Sequence, residues 1–177
     1  MTDDIRSLIR TIPDFPKPGI VFRDITTLLK NATGFRATIE QLAARFASIE
    51  VQKVAGIESR GFIIGAALAY ELRAGFVPIR KAGKLPAENF GHDYELEYGK
   101  DRLEIHADAI HKGERVLLVD DLIATGGTAE AAIQLLSMAH ATIVGRGFVV
   151  ELTDLNGRAR LQRLGQPVVT LCEFSGH

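Results

Sequence analysis

Residues 116–132, VLLVDDLIATGGTAEAA, run from an unbroken apolar stretch through two acids into a glycine pair and then an alanine-rich segment. An apolar run without polar alternation suits a strand buried on both faces, the condition of a parallel sheet covered by helices. Gly126 and Gly127 mark a turn, and the alanines that follow favour a helix. The rest of the chain repeats this alternation. Phe35, Ile39, Leu42, Ala43 and Phe46 recur at helical spacing, residues 54–57 form a short apolar strand, and Phe62, Ile63, Ala66, Ala67 and Tyr70 mark another helix. Strands are predicted near 76–79, 116–119, 142–150 and 168–171, with helices over 127–139 and 156–164. The order predicts an α/β fold, a mainly parallel central sheet flanked by helices. Asp3 or Asp4 caps a short amphipathic N-terminal helix carrying Ile5, Leu8, Ile9 and Ile12, before Pro13, Pro16 and Pro18 impose a stiff loop. With 177 residues and no repeat or low-complexity run, residues 1–177 are expected to form one domain with a loop-rich stretch near 81–93.

A formal net charge of -1 gives no general field toward nucleic acid or an anionic membrane, so neither partner is expected. The N-terminal MTDDIRSLIR has no apolar core of a signal peptide and no run reaches the length of a membrane span, so a cytoplasmic protein is expected. Cys172 is the only cysteine, which excludes an internal disulfide and CxxC chemistry. The histidines show no HExxH spacing, and no transition-metal site is expected.

Open α/β sheets bind ligands at the carboxyl ends of their strands. The loops there are ESRG, RKAGKLP, DDLIATGGT and ELTDL. A strand that ends in a glycine turn opening a helix gathers free backbone N–H groups and the positive end of a helix dipole, which together seat an anion. Thr125 and Thr128 add hydroxyls. The lysine of a Walker loop and the GxGxxG spacing are both missing, which argues against nucleoside triphosphates and dinucleotides and favours a phosphate monoester. Asp120 and Asp121 would repel that phosphate, so they should face hydroxyls or a cation one sugar's width away. A sugar with vicinal hydroxyls and a 5-phosphate satisfies both halves.

VLLVDDLIATGGTA resembles the phosphoribosyl pyrophosphate (PRPP) motif of the type I phosphoribosyltransferases. FPKPGIVFRDIT, GIESRGFIIG, RKAGKLP, YELEYGKDRLEIH and VELTDL are similar to segments of the adenine-specific branch of that family, over nearly the whole chain and in the same order. The resemblance implies the type I fold with a hairpin lid near 81–106, a base-binding loop at 15–26, and a homodimer. It implies transfer of phosphoribosyl from PRPP to adenine, giving AMP and pyrophosphate with magnesium, as in purine salvage. Ala124, Thr125, Gly126, Gly127 and Thr128 would then hold the 5-phosphate, and Asp120 and Asp121 would lie by the ribose and its oxocarbenium-like centre.

The other segments also make chemical sense by residue type. A departing pyrophosphate needs fixed cations, and Arg60, Lys81 and Lys84 supply them. Tyr94, Leu96 and Tyr98 alternate before Gly99-Lys100-Asp101, with Leu103 and Ile105 after it, which reads as a hairpin turning at the glycine. Glu97 and Tyr98 match the family's catalytic loop, with Glu97 handling the proton on the purine N7 side, while the plainer alternative is that Tyr94 and Tyr98 only pack the hairpin. For the base, Val21 offers backbone groups, Phe22 a stacking face and Arg23 polar contacts, and the resemblance adds Leu152 on the opposite face. Magnesium should need no protein cage, being held through substrate phosphates and through water to Asp120 or Asp121. Hypoxanthine, guanine or xanthine as acceptor, and a PRPP-binding sensor on the same fold, stay open at this level.

Overall fold

The computed structural model describes residues 4–96 and 99–176. Seven strands form the main sheet: β3 (Lys53–Ile57), β4 (Gly75–Lys81), β5 (Asn89–Leu96), β6 (Gly99–His106), β7 (Arg115–Ile123), β8 (Thr142–Leu152) and β9 (Val168–Phe174), in the order β5-β6-β4-β3-β7-β8-β9. The β4-β3-β7-β8-β9 part is parallel, and the β5–β6 hairpin extends it antiparallel from the edge of β4. The helices are α1 (Thr26–Leu29), α2 (Ala32–Phe46), α3 (Arg60–Glu71), α4 (Gly127–Met138) and α5 (Gly157–Gln162). Two short strands, β1 (Arg10–Pro13) and β2 (Val21–Asp24), pair antiparallel outside the main sheet.

Successive residues of β7 enter opposite cores. Leu117 and Val119 pack with α2 and α3, while Val116 and Leu118 pack with α4. That double burial is why the strand shows no polar alternation. From β3 the chain crosses to β4 on one side, and from β7 it crosses to β8 on the other. The connections diverge between the carboxyl ends of β3 and β7, and a crevice opens there.

Three expectations need correction. The N-terminal apolar spacing forms only a 3-10 turn at Ile5–Leu8, which Asp4 caps by accepting from the Arg6 N–H at 3.2 Å, and Ile12 belongs to β1 instead. The alternative cap Asp3 lies outside the described residues. On α3 the buried stripe is Gly61, Ile64, Gly65 and Leu68, while Ile63, Ala66 and Tyr70 face outward. Both faces of that helix are apolar, so periodicity could not choose between them. Finally, the hairpin pairs Leu96 with Gly99, so Gly99, Lys100 and Asp101 lie inside β6 and not in the turn.

Candidate active site

The loop expected to seat an anion opens where β7 leaves the sheet. Gly126 takes φ +81° at the N-cap of α4, a left-handed conformation that suits glycine. Having no side chain, it leaves the cap open, and the first intrahelical bond runs from the Glu130 N–H to the Gly126 carbonyl at 2.9 Å. The Gly127 N–H makes only a long 3.4 Å bond to Thr125 Oγ1. The first amides of α4 therefore point at the crevice with little internal demand on them. Gly157, the first residue of α5, backs this loop so closely that a Cβ there would sit 2.3 Å from the Ala124 carbonyl oxygen. Arg146, fully buried on β8, donates to the carbonyls of Leu161 at the end of α5 and of Leu164 and Gln166 just beyond it, which anchors that end of the helix.

The two acids of the motif have different surroundings. Asp120 Oδ1 accepts from the Asp121 N–H at 2.9 Å. Burial pushes the Asp120 carboxyl well above the usual range, and the charge of Asp121 pushes it the same way. Asp121 is buried, and its Oδ2 lies 2.7 Å from Arg60 Nε as an ion pair. One acid is thus held toward its neutral form beside a second that has a cation for company.

Each of the three expected pyrophosphate cations rests on a carboxylate. Arg60 pairs with Asp121, Lys81 with Asp101, and Lys84 with Glu58 at 3.1 Å. Lys81 also donates to the Tyr94 hydroxyl at 2.9 Å, so Tyr94 does more than pack the hairpin. Burial opposes the ammonium of Lys81, but Asp101 and Tyr94 outweigh it and raise its pKa. Burial likewise opposes the charge of Glu58, yet the Lys81 N–H and the Lys84 ammonium win and lower its pKa.

Two adjoining clefts result. A polar one of about 450 Å³ is lined by Arg60, Lys81, Asp120, Asp121 and all of Ala124, Thr125, Gly126, Gly127 and Thr128. A more apolar one of about 740 Å³ is lined by Val21, Phe22, Arg23, Leu152, Leu155 and the hairpin residues Glu95 and Leu96. Arg60, Leu122, Ala124, Thr125, Gly127 and Thr128 belong to both. The Arg60 guanidinium also lies 5.2 Å from the centre of the Phe22 ring. Lys84 lines neither cleft, and Glu97 and Tyr98 lie outside the described residues. Arg23 reaches the cleft wall, but its guanidinium turns away, to Thr11 Oγ1 at 2.6 Å and the Ser175 carbonyl at 3.2 Å.

Sequence reasoning missed Arg160. It lines the apolar cleft, pairs with Glu130 of α4 and places Nη1 close beside Gly127. Its only signal is its position a few residues past ELTDL, where a lone arginine reads as a solvated helix face.

Comparison with known proteins agrees with this geometry. Residues 24–164 match the model of the phosphoribosyl transferase domain. The chain is 63% identical over 173 residues to the adenine phosphoribosyltransferase of Nitrosospira multiformis, covering 98% of this chain and 99% of that protein. The crystal structure of adenine phosphoribosyltransferase from Rhodothermus marinus superposes with a TM-score of 0.91 at 52% identity, covering 96% of each chain. The enzyme from Saccharomyces cerevisiae, complexed with D-2,5-dideoxy-2,5-imino-altritol 1,6-bisphosphate and adenine, gives a TM-score of 0.88 at 41% identity over 97% of this chain and 98% of that one.

Proposed function

The chain belongs to the adenine phosphoribosyltransferases of the phosphoribosyl transferase family, and from that premise we propose that it carries phosphoribosyl from PRPP to adenine, releasing AMP and pyrophosphate. The observation that supports this reading is the meeting of two unlike clefts on Arg60 and the loop 124–128, one polar and floored by acids, the other walled by Phe22 and Leu152. A sugar phosphate and a flat base joined at one carbon need such a pair.

The bond from C1 of the ribose to pyrophosphate oxygen breaks with its electrons going to pyrophosphate, and N9 of adenine supplies the new pair to C1. The 5-phosphate rests on the amides at the start of α4 and on Thr125 and Thr128. Asp121 faces the ribose and offsets the positive charge of an oxocarbenium-like state. Arg60 and Lys81 take the leaving pyrophosphate, exchanging their carboxylate partners for phosphate oxygens, and Lys84 joins them on release from Glu58. Adenine lies between Phe22 and Leu152 and is read by the backbone at Val21. The base loses one proton overall, which Glu97 handles on the purine N7 side beside Tyr98.

Magnesium suits this site as an ion that arrives with PRPP. Asp120 and Asp121 line the polar cleft and would reach the ion through water. Bound there, it would neutralise part of the pyrophosphate charge. The expected homodimer has a ready face in the outer stripe of α3, where Ile63 is 45% and Tyr70 86% exposed. Tyr70→Asp should shift the sedimentation of the protein toward a monomer, and an unshifted dimer would move the interface elsewhere. No helix among the described residues is long and apolar enough to cross a membrane. A role in purine salvage would call for a cytoplasmic protein.

The deciding assay is AMP formation by the purified protein with PRPP and magnesium, run against adenine, hypoxanthine, guanine and xanthine, with and without chelator. Turnover of adenine alone, lost with chelator, is expected. PRPP binding without turnover of any base would make the protein a sensor.

A further inference from the structure

Two facing walls of the apolar cleft come from segments that share no sheet. One is the β1–β2 hairpin, carrying Val21 and Phe22, and the other is the end of β8 with the turn after it, carrying Leu152 and Leu155. A single peptide group beyond β9 touches both. Its carbonyl, from Ser175, accepts from Arg23 Nη2 at 3.2 Å, and its N–H, from Gly176, donates to Asp154 Oδ2 at 2.7 Å. The Arg23 guanidinium also stacks on the Phe174 ring, 4.4 Å from its centre, and Thr153 Oγ1 donates to the Phe174 carbonyl at 3.3 Å. A cation and a carboxylate thus polarise the same peptide from its two ends, an arrangement in which each bond strengthens the other.

We propose that Arg23 and Asp154 are positioning residues that set the width of the base cleft by gripping the 175–176 peptide between them. Asp154, Ser175 and Gly176 do not line the cleft, so they act only through the walls they join. The hairpin needs such a tie, because two four-residue strands standing apart from the main sheet have little stability of their own. The inference rests on the reading of this cleft as the adenine seat.

A serial bridge makes a prediction that independent contacts do not. Cutting either end frees the peptide to turn, so cutting the second end changes nothing further. The test measures KM for adenine and for PRPP in Arg23→Met, Asp154→Ala and the double variant, with Phe22→Ala alongside. Asp154 is exposed and Arg23→Met keeps the apolar length of the side chain, so both variants should fold. Each single change should raise the adenine KM about five-fold, the factor of one lost hydrogen bond, and leave the PRPP KM within about two-fold. The double variant should match the singles. An adenine KM raised by the product, about 25-fold, would show two independent contacts and overturn the bridge. A silent Asp154→Ala beside a strong Arg23→Met would mean that Arg23 acts through Thr11, Phe174 or adenine and not through the peptide, which also overturns it. If Phe22→Ala raises the adenine KM while the other variants do nothing, the bridge alone fails. If Phe22→Ala does nothing, the base seat lies elsewhere.

Discussion

The phosphate side of the site and the base side are built on different principles. The side proposed for the phosphate stands on β7, whose Val116 to Val119 stretch is fully buried, and the groups it presents are mostly backbone at a helix start. The side proposed for the base hangs on a two-stranded hairpin held to the body through side chains, Arg23 to the Ser175 carbonyl and Thr27 to the Arg10 N–H. The contrast follows from what each half must do. Acids and cations that have to act on a phosphate would not be kept in register by a yielding frame, because electrostatic work varies steeply with distance where water is scarce. A flat base between two apolar walls tolerates small changes in their spacing, so tethers suffice.

The comparison is broken most directly at Asp121. Asp121→Asn keeps the shape and removes the charge, and kcat should fall about 30- to 900-fold, the equivalent of roughly 2 to 4 kcal/mol. The PRPP KM should not rise, since Arg60 then has no acid partner to exchange for pyrophosphate. Steady-state kinetics decide it: a near-normal kcat would make the acid structural.

A purely steric blow to the same half comes from Gly157→Ala. The new Cβ would meet the Ala124 carbonyl at 2.3 Å, Ile123 Cγ1 at 2.8 Å and the Gly126 nitrogen at 3.0 Å. Arg146 bonds the Leu161 carbonyl of α5 and the Leu164 and Gln166 carbonyls just beyond it, which holds the far end of the helix and leaves the loop before it to move. Overpacking of this kind costs about 1 to 3 kcal/mol, and the PRPP KM should rise about ten-fold with a lowered Tm. A lowered Tm with unchanged PRPP KM would show that α5 yields instead. Lys84→Met should do less, about three-fold on the PRPP KM with AMP affinity little changed, because its ammonium is half exposed on Glu58 and outside both clefts. No change at all would remove Lys84 from the reaction.

How well each half could be read from sequence follows the same division. The strand, both acids and the phosphate loop are contiguous, so burial pattern and loop chemistry sufficed to place them, and 124–128 do open α4 around one cleft. What sequence could not supply was contact between distant segments. The acids that hold the lysines are Glu58 and Asp101, each on another strand or loop from its partner. Gly99 suggested a turn and does take φ +109°, yet its pairing with Leu96 depends on the register of the whole hairpin. Ile5 and Ile9 are both buried, as a helix would bury them, but pairing with β2 draws residues from Arg10 onward into a strand. Arg146 in a strand pattern and the cis Glu58–Ser59 peptide carry no signal in residue type.

The smallest expected effect sharpens the base half. Asp24 closes β2 by accepting from Arg10 Nε at 3.0 Å and from the Thr26 N–H at 2.9 Å, so it ties β1, β2 and α1 together. The Arg10 hydrogen bond, aided by Thr26 and opposed by burial, lowers its pKa from 3.8 to about 2. A carboxyl whose pKa is depressed on folding adds stability that is complete above its unfolded value and fades as pH falls through its folded one. The contribution should therefore be whole at neutral pH and fade from about pH 4 to about pH 2. Asp24→Asn should lower Tm by roughly 2 to 5 °C at pH 7. The gap between the two proteins should narrow as thermal melts are taken toward about pH 2, where Asp24 itself takes up a proton. Taking the difference cancels the other carboxyls that titrate in the same window. A gap that stays constant with pH would mean that the shape of Asp24, and not its charge, secures the hairpin, leaving Arg23 and the 175–176 peptide as the charged anchor of the base half.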